Sequence, residues 1–511
     1  MKTFLKLLIV MICVNLTVFS KVEPTDTDGD GYLNISTLDH LRWVSETSDS
    51  WDKNFELDND IDANDTRNWN IGDHDGDPAT PDSAMGWSPI GNVEVSYTGV
   101  FNGNGYKIDN LFVSREKQDY VGFIGITDSA RLSNLGITNC NIIGNEYVAS
   151  LMAIAYIVEL TNCYCSGFIL GKGEHVGGLV GASSGSTINN CYNLADINCD
   201  SKTVGGLVGE NRTTFINNSY NAGNVFSSNG ITGGLIGSNM YSIITNCYNK
   251  GDVNSNGSWV GGLIGSNSSN LSKVRNCFNV GNVSALSIIG GLIGKHSGTI
   301  MNCFSKGIIT GKEGYVAGFV GINSGEYTEI INSYSTSQVV CKEGEYGGFV
   351  AWNYLAKITN SFWNIEISGI KTSDGGFARS AFELKEISTF TDAGWDFNTI
   401  WAIDGVTNDG YPFFRDGITS VEDEVIVFDE ASYSIFPNPA SDYIIFKYPS
   451  ESSKPSEGFE IEIYNVHGEK LISFSPALSQ SERELRINVS HLPTGIYFVK
   501  LGDKVEKFVK E

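Results

Sequence analysis

Three carboxylates stand at alternate positions near the start of the chain, in Thr25-Asp26-Thr27-Asp28-Gly29-Asp30-Gly31-Tyr32. Hard oxygen ligands at this spacing, with Gly for the sharp turn, are how a calcium loop of the EF-hand type opens. The pattern nominates Asp26, Asp28 and Asp30 as Ca²⁺ ligands, followed by the Tyr32 carbonyl and Asn34. The twelfth position should be a bidentate Glu but is Thr37, and Asp39 is the nearest carboxylate. The ligand set is therefore incomplete, and a polar Asx-turn loop accounts for the same residues. A second acidic run, Asp73-His74-Asp75-Gly76-Asp77-Pro78, lacks any downstream ligand and reads as a solvated insertion.

Other chemistry is sparse. Cys163, Cys191, Cys247, Cys277 and Cys303 share one repeated position with Ser219, Ser333 and Ser361. Exchange between Cys and Ser marks a small buried site with free thiols rather than a disulfide or zinc framework. The six histidines form neither a His-Glu-any-any-His pair nor a triad with a Gly-any-Ser-any-Gly elbow. A lyase or glycosidase needs carboxylates or basic groups converging on one face. Charges in the middle of the chain fall at non-equivalent positions, so a non-catalytic protein is expected, with a secreted carbohydrate-active enzyme as the alternative. One further row could act: Tyr164, Tyr192, Tyr220, Tyr248, Phe278, Phe304, Tyr334 and Phe362 are equivalent. Facing outward they would bind a glycan or a protein; facing inward, the favoured orientation, they would pack.

These positions are set by a repeat. The phrase Gly205-Gly206-Leu207-Val208-Gly209 returns at Gly177–Gly181, Gly233–Gly237, Gly261–Gly265 and Gly290–Gly294, with weaker copies from Val121 to Ala351. Its period is about 28 residues, the size of one supersecondary unit stacked on itself. Within each unit an Asn recurs at 162, 190, 218, 246, 276, 302, 332 and 360. Short β-prone pieces between Gly and Asn corners predict an all-β protein: a right-handed parallel β-solenoid of about nine coils with capped ends. Leu and Val of the phrase should alternate, one filling the core and the other outside or at the bend. Its glycines should supply positive φ at the corners, and Asn should tolerate the same conformation. Stacked Asn amides can bond from coil to coil.

The ends differ from the array. Residues 1–20 carry Lys2 and Lys6, then the apolar run Leu7 to Val18, as a cleaved secretory signal does. No later run is long enough to span a bilayer, so no transmembrane span is expected in the mature protein. Residues 21–120 form an acidic N-terminal cap and first irregular coils, with 21 Asp/Glu against 6 Lys/Arg between Val22 and Asp119. Residues 121–363 hold the coils and are nearly neutral, with 13 against 12 between Val121 and Ser361. Nothing there resembles the basic footprint of a nucleic-acid binder. A helix capped by Ser36 should cover the open end. Residues 364–415, with a helix at Ser380 to Ile387 and an aromatic cluster around Trp395, Trp401 and Phe414, should close the last coil. Residues 416–432 read as an acidic linker. Residues 433–511 alternate in short strands, as a small antiparallel β-sandwich does.

The repeats resemble the GLUG motif of bacterial surface and secreted proteins, a group that includes adhesin-like proteins and some immunoglobulin A peptidases. That resemblance implies a scaffold or binding surface and carries no catalytic residue. The C-terminal segment resembles the type A sorting domain of type IX secretion in Bacteroidetes. Pro437-Asn438-Pro439, Gly495-Ile496-Tyr497 and Lys507-Phe508-Val509-Lys510 carry it. It implies export by the type IX machinery, with removal of the domain, and a released or surface-attached product. The expected product is an adhesin-like display protein for an unknown surface glycan or protein.

Overall fold

A computed structural model describes residues 21–71, 84–200, 202–415, 434–436, 443–447, 461–465, 470–474, 484–501 and 504–510. The expected signal segment, the second acidic run, the expected linker and Pro437-Asn438-Pro439 lie outside them. The chain separates into two compact units, Met1–Ser420 and Val421–Glu511.

The first unit is a parallel β-solenoid. One coil runs through the strands Thr203–Gly205, Val208–Arg212, Phe215–Asn217, Tyr220–Asn221 and Val225–Ser227. Each pairs in register with the next coil: Thr203 with Ile231, Val208 with Ile236, Phe215 with Ile243, Tyr220 with Tyr248 and Val225 with Val253. A lone coil could not satisfy its own N–H and C=O groups; its neighbours do so.

The corners are built in two ways. Asn162, Asn190, Asn218, Asn246, Asn276, Asn302, Asn332 and Asn360 all adopt left-handed backbone, with φ between 48° and 55°. Short amide side chains make this conformation tolerable. The glycine phrase works differently, and the expectation for its φ is corrected. Gly205, Gly206 and Gly209 have ordinary φ. They are glycine because a Cβ on Gly206 would lie 2.1 Å from the Gly234 oxygen and 2.3 Å from Asn221 Cγ. Neither Leu207 nor Val208 faces outside; Leu207 takes the bend and Val208 opens the next strand. Both are fully buried, because the strand ends at Gly205 and restarts at Val208. The bend between them lets both N–H groups donate to the Leu235 carbonyl, at 2.9 and 3.1 Å.

The N-terminal end of the core is covered by the helix Leu38–Ser45. Its cap is Thr37, whose hydroxyl accepts the His40 N–H, and not Ser36, whose own N–H donates to His40 Nδ1. Leu41 and Val44 are buried in the same cluster as Phe55, Phe101 and the solenoid interior.

At the other end, residues 370–379 supply the last partial coil. Gly348 N–H donates to the Thr372 carbonyl, and Phe377–Arg379 pairs with Phe362–Asn364. Residues 380–415 do not close the last coil as expected; they fold back along the flank. Ser380 and Glu383 form the expected reciprocal cap, Ser380 N–H to Glu383 Oε2 at 2.7 Å and Glu383 N–H to Ser380 Oγ at 3.2 Å. The segment is a 3₁₀ turn, Glu383–Lys385, followed by a separate helix, Ile387–Thr391, rather than one helix.

In the second unit the described strands form two antiparallel sheets. One joins Ser434–Phe436, Tyr443–Lys447 and Glu484–Asn488; the other joins Lys470–Phe474, Ile461–Asn465, Gly495–Leu501 and Lys504–Lys510.

Candidate functional site

The aromatic row forms one continuous stack. Rings from Tyr164 through Tyr334 stand 4.8 to 5.2 Å apart, with planes within 12° of parallel. Phe362 pairs in register beyond Tyr334. The stack does not face the core. In each coil the next residue does: Cys165, Asn193, Asn221, Asn249 and Asn279 are fully buried. The favoured inward orientation is therefore corrected, since strand alternation turns the ring out when the following residue turns in.

Facing out is not the same as being exposed. Phe278, Phe304, Tyr334 and Phe362 are buried beneath the folded-back segment, in a cluster with Phe390, Trp395, Trp401 and Phe414. Phe390 meets Phe362 edge-on, with centroids 5.6 Å apart and planes at 90°. Trp395 contacts Tyr334 and Phe362, Trp401 contacts Phe304 and Tyr334, and Phe414 contacts Phe278 and Phe304. The cover therefore advances rung by rung toward the N-terminal end. Polar contacts lock it. Tyr334 Oη donates to the Pro412 carbonyl at 2.6 Å and accepts Asn408 Nδ2 at 2.8 Å. Lys306 Nζ lies 2.5 Å from an Asp409 carboxylate oxygen, which helps hold that carboxyl below its usual range. Tyr164, Tyr192 and Tyr220 remain half-buried. Burial pushes the Tyr220 phenol up to about 12.

Two further ladders run inside. Asn193 donates to Asn221, Asn221 to Asn249 and Asn249 to Asn279, at 2.7 to 2.8 Å. Asn211, Asn239 and Asn267 form the second, which ends on Nδ1 of His296 at 3.0 Å. Asn267 Oδ1 already accepts from Asn239, so its NH₂ faces the ring and the imidazole proton sits on Nε2. Full burial pulls His296 down to about 3. Neither ladder was singled out in the sequence, although the 28-residue recurrence at 193, 221 and 249 was its signal. The cysteine row is a ladder too. The described cysteines are free thiols, and the Cys247 N–H donates to Cys277 Sγ at 3.4 Å, as the Cys191 N–H does to Ser219 Oγ at 3.1 Å.

The N-terminal loop brings Asp26, Asp28 and Asp30 together, with one oxygen of each within 4.8 Å of the others. Asp26 accepts the Gly29 N–H at 2.6 Å and the Gly31 N–H at 3.1 Å, which lowers its pKa. Asn34 is bonded to the loop through Thr27, between Asp26 and Asp28. Its Oδ1 accepts Thr27 N–H and Oγ1, at 2.7 and 2.9 Å, and its NH₂ donates to Glu56 and Asp58. Asp39 lies in the first turn of the helix and outside the group, and Tyr32 N–H is held by Asp30. Three hard oxygens are thus on hand where calcium takes six to eight.

In the second unit, Tyr497 is buried and its hydroxyl donates to the Pro493 carbonyl at 2.7 Å. Gly495 pairs with Lys510, Tyr497 with Phe508 and Phe498 with Lys507. The glycine-tyrosine and lysine-phenylalanine motifs are therefore partners on neighbouring strands. Residues 434–511 match the secretion system C-terminal sorting domain, and residues 172–198 and 228–254 match the GLUG motif. The chain thus carries two GLUG motifs and, over residues 434–511, a C-terminal sorting domain of the type IX secretion system. A chain carrying this sorting domain is secreted or held at the cell surface. Among curated proteins, halomucin of Haloquadratum walsbyi is 32% identical over 161 residues, 31% of this chain and 2% of that protein. A "Putative Gly-rich membrane protein" of Evansella cellulosilytica is 32% identical over 28% of this chain and 14% of its own length. The chain thus spans a small part of either relative. A solved structure titled as a putative immunoglobulin A1 protease, from Bacteroides ovatus, aligns with 75% of this chain and 92% of its own, at 18% identity and a TM-score of 0.38. No helix among the described residues is long and apolar enough to cross a membrane.

Proposed function

We propose that this protein is a non-catalytic, adhesin-like display scaffold. The type IX machinery exports it and removes its C-terminal domain, leaving the solenoid to meet a surface glycan or protein. The observation that carries this proposal is the use each coil makes of its side chains. Asn, Cys or Ser, and Tyr or Phe bond to or stack on their equivalents one coil away. Outward charges pair in the same way, as Arg131 does with Glu159 and Lys357 with Glu329. Buried ladders held by their own repeats make the coils rigid, and the paired outward charges repeat that register on the surface, which suits display. In the test, the secreted chain is screened against host proteins and glycans, with polysaccharide and peptide hydrolysis assayed in parallel. Saturable binding without turnover supports the scaffold. Turnover lost on substitution of a solenoid carboxylate would establish the carbohydrate-active alternative or a peptidase. An immunoblot of the exported product should show it shorter by the C-terminal domain.

The same proposal places Ca²⁺ on Asp26, Asp28 and Asp30, with water completing the shell. Calorimetric titration with calcium should give heat with the native chain and none with the Asp28→Ala, Asp30→Ala variant. Equal heats would remove the ion.

A further inference from the structure

Most coils turn twice through left-handed backbone, and the two corners are capped alike. At one, Asn190 precedes Cys191, whose N–H donates to Ser219 Oγ one coil on, at 3.1 Å. At the other, Ile157 precedes Val158, whose N–H donates to Ser186 Oγ at 3.0 Å, and Thr213 precedes Thr214, whose N–H donates to Ser242 Oγ at 3.1 Å. The residue choice is what differs. The first corner carries Asn in coil after coil, the side chain that tolerates this conformation. The second carries Ile157, Tyr241 and Leu355, at φ of 52°, 55° and 59°, where a branched or bulky side chain is strained. Gly185 and Thr213 stand at the same corner with the same backbone, so the fold does not require the bulk. Nor does the bulk fill the core. Ile157, Tyr241 and Leu355, with Leu271 and Tyr327 from the same corner of other coils, are 52% to 72% exposed. They form an apolar ridge along the coils, and exposed apolar surface of this extent marks an interaction site. Two residues after each ridge position comes an outward row, paired in register from Arg131 and Glu159 through Phe215 and Ile243 to Glu329 and Lys357.

We propose that this face is the interface of an antiparallel homodimer, in which a second copy of the chain lies against the ridge with its axis reversed. The inference goes beyond the display proposal and does not depend on it. Area, charge and shape select the second copy. A ridge is convex, whereas a small ligand takes a concave site, so the occupant is another protein surface. From Arg131 to Lys357 the face runs eight coil steps of about 4.8 Å and is about six strand residues wide, about 38 Å by about 20 Å. That is roughly 800 Å², the share each partner gives to a standard interface. The row is complementary to itself when turned end for end about a point between Phe215 and Ile243. Arg131 then meets Glu329 and Phe215 meets Ile243, and each contact occurs twice, as a twofold interface demands. Glu159 meets Thr299 and Thr187 meets Lys273, so no like charges oppose. A parallel pairing about the same row would set Arg131 on Arg131. The same turn sets Ile157 on Ser297, Tyr241 on Thr213, Leu271 on Gly185 and Tyr327 on Ser129. A large corner residue meets a small one each time.

Sedimentation equilibrium of the full chain tests this. A dimer is expected at about 10 µM chain, since interfaces of this size bind at micromolar or tighter. Ile157→Asn combined with Tyr241→Asn should weaken it about tenfold or more. These changes place at the second corner the residue that the first corner uses, so the coil is kept and only the ridge is lost; an unchanged circular dichroism spectrum certifies the fold. Arg131→Glu should also weaken the dimer, and adding Glu329→Arg should restore it. The two sites lie seven coil steps, about 34 Å, apart within one chain, so recovery has to come from across the interface. The inference is overturned by a monomer at about 100 µM chain, by a dimer that the Asn variant leaves unchanged, or by failure of the charge exchange to recover it. A monomer whose Asn variant loses a glycan or protein captured in the screen above overturns it too, and assigns the ridge to that partner.

Discussion

At the residue scale, each corner asparagine leaves the N–H after it to be satisfied by the equivalent Cys or Ser one coil away. A left-handed Asn takes the following N–H out of the regular ladder, and a small side chain with one acceptor and one donor repairs it. Cys277 Sγ accepts the Cys247 N–H and donates to the Arg275 carbonyl at 3.0 Å; Ser219 does the same for Cys191 and Asn217. This explains why Cys and Ser interchange there. Cys277→Ser should therefore stay within about 1 kcal/mol of wild type, while Cys277→Ala should cost about 1–3 kcal/mol for the stranded N–H. Chemical denaturation of the two variants checks the difference, and equal losses would remove the capping role. His296 makes the opposite kind of prediction. Its folded value, about 3, lies below the ordinary 6.5, so between those limits the unfolded chain binds a proton that the native chain does not. The His contribution is intact above pH 6.5 and is lost as pH falls toward 3. At pH 5 the loss is about 2 kcal/mol. His296→Asn restores an amide to the ladder and removes this sensitivity, so its melting temperature should fall less than wild type between pH 7.5 and pH 5. Parallel declines would show that the imidazole is not the source.

At the scale of the element, the glycine corner and the flank cover carry the fold. Gly206→Ala should destabilise by about 1–3 kcal/mol or more, because the new methyl meets the Gly234 carbonyl and the Asn221 amide while φ is already ordinary. Gly405→Ala, where a Cβ meets nothing within 4 Å and φ is also ordinary, should be neutral or stabilise by about 0.4–1 kcal/mol. Thermal denaturation of the pair separates close approach from backbone freedom. The comparison also marks what the sequence could disclose. Period, register and the left-handed Asn corners were legible because each follows from residue type at a fixed spacing. The reason for the glycines was not: steric contact with residue 234 exists only once two coils are stacked. The cover was misplaced for a related reason. Trp395, Trp401 and Phe414 announce burial, but an aromatic cluster after the last repeat fits the end of a solenoid as well as its flank. Only the three-dimensional pairing of Phe414 with Phe278 distinguishes them. At the N-terminal loop, the aspartates were found by spacing. The further partners of Asn34, Glu56 and Asp58, were not legible, because they belong to the next coil.

At the scale of the whole molecule, each coil's strands pair with those of its neighbours, so stability is close to a sum of units and their interfaces, with the flank cover adding to the coils from Phe278 onward. Excision should then depend on register and not on length. Thr203 pairs with Ile231, and 231 − 203 gives a unit of 28 residues. Removing residues 203–230 joins Lys202 to Ile231 and sets the coil that begins at Ile231 directly on the one below. The Asn ladder then passes from Asn193 to Asn249, and the aromatic stack from Tyr192 to Tyr248. This variant should fold, keep a parallel-β circular dichroism spectrum and melt within a few degrees of wild type. Removing half as many residues, 203–216, is the smaller deletion but should be the more damaging one. It places polar corner residues where the next coil presents core, and it breaks every ladder at once. Cooperative melting of the short deletion alongside loss of structure in the long one would refute the one-coil, one-repeat organisation from which the display surface is built.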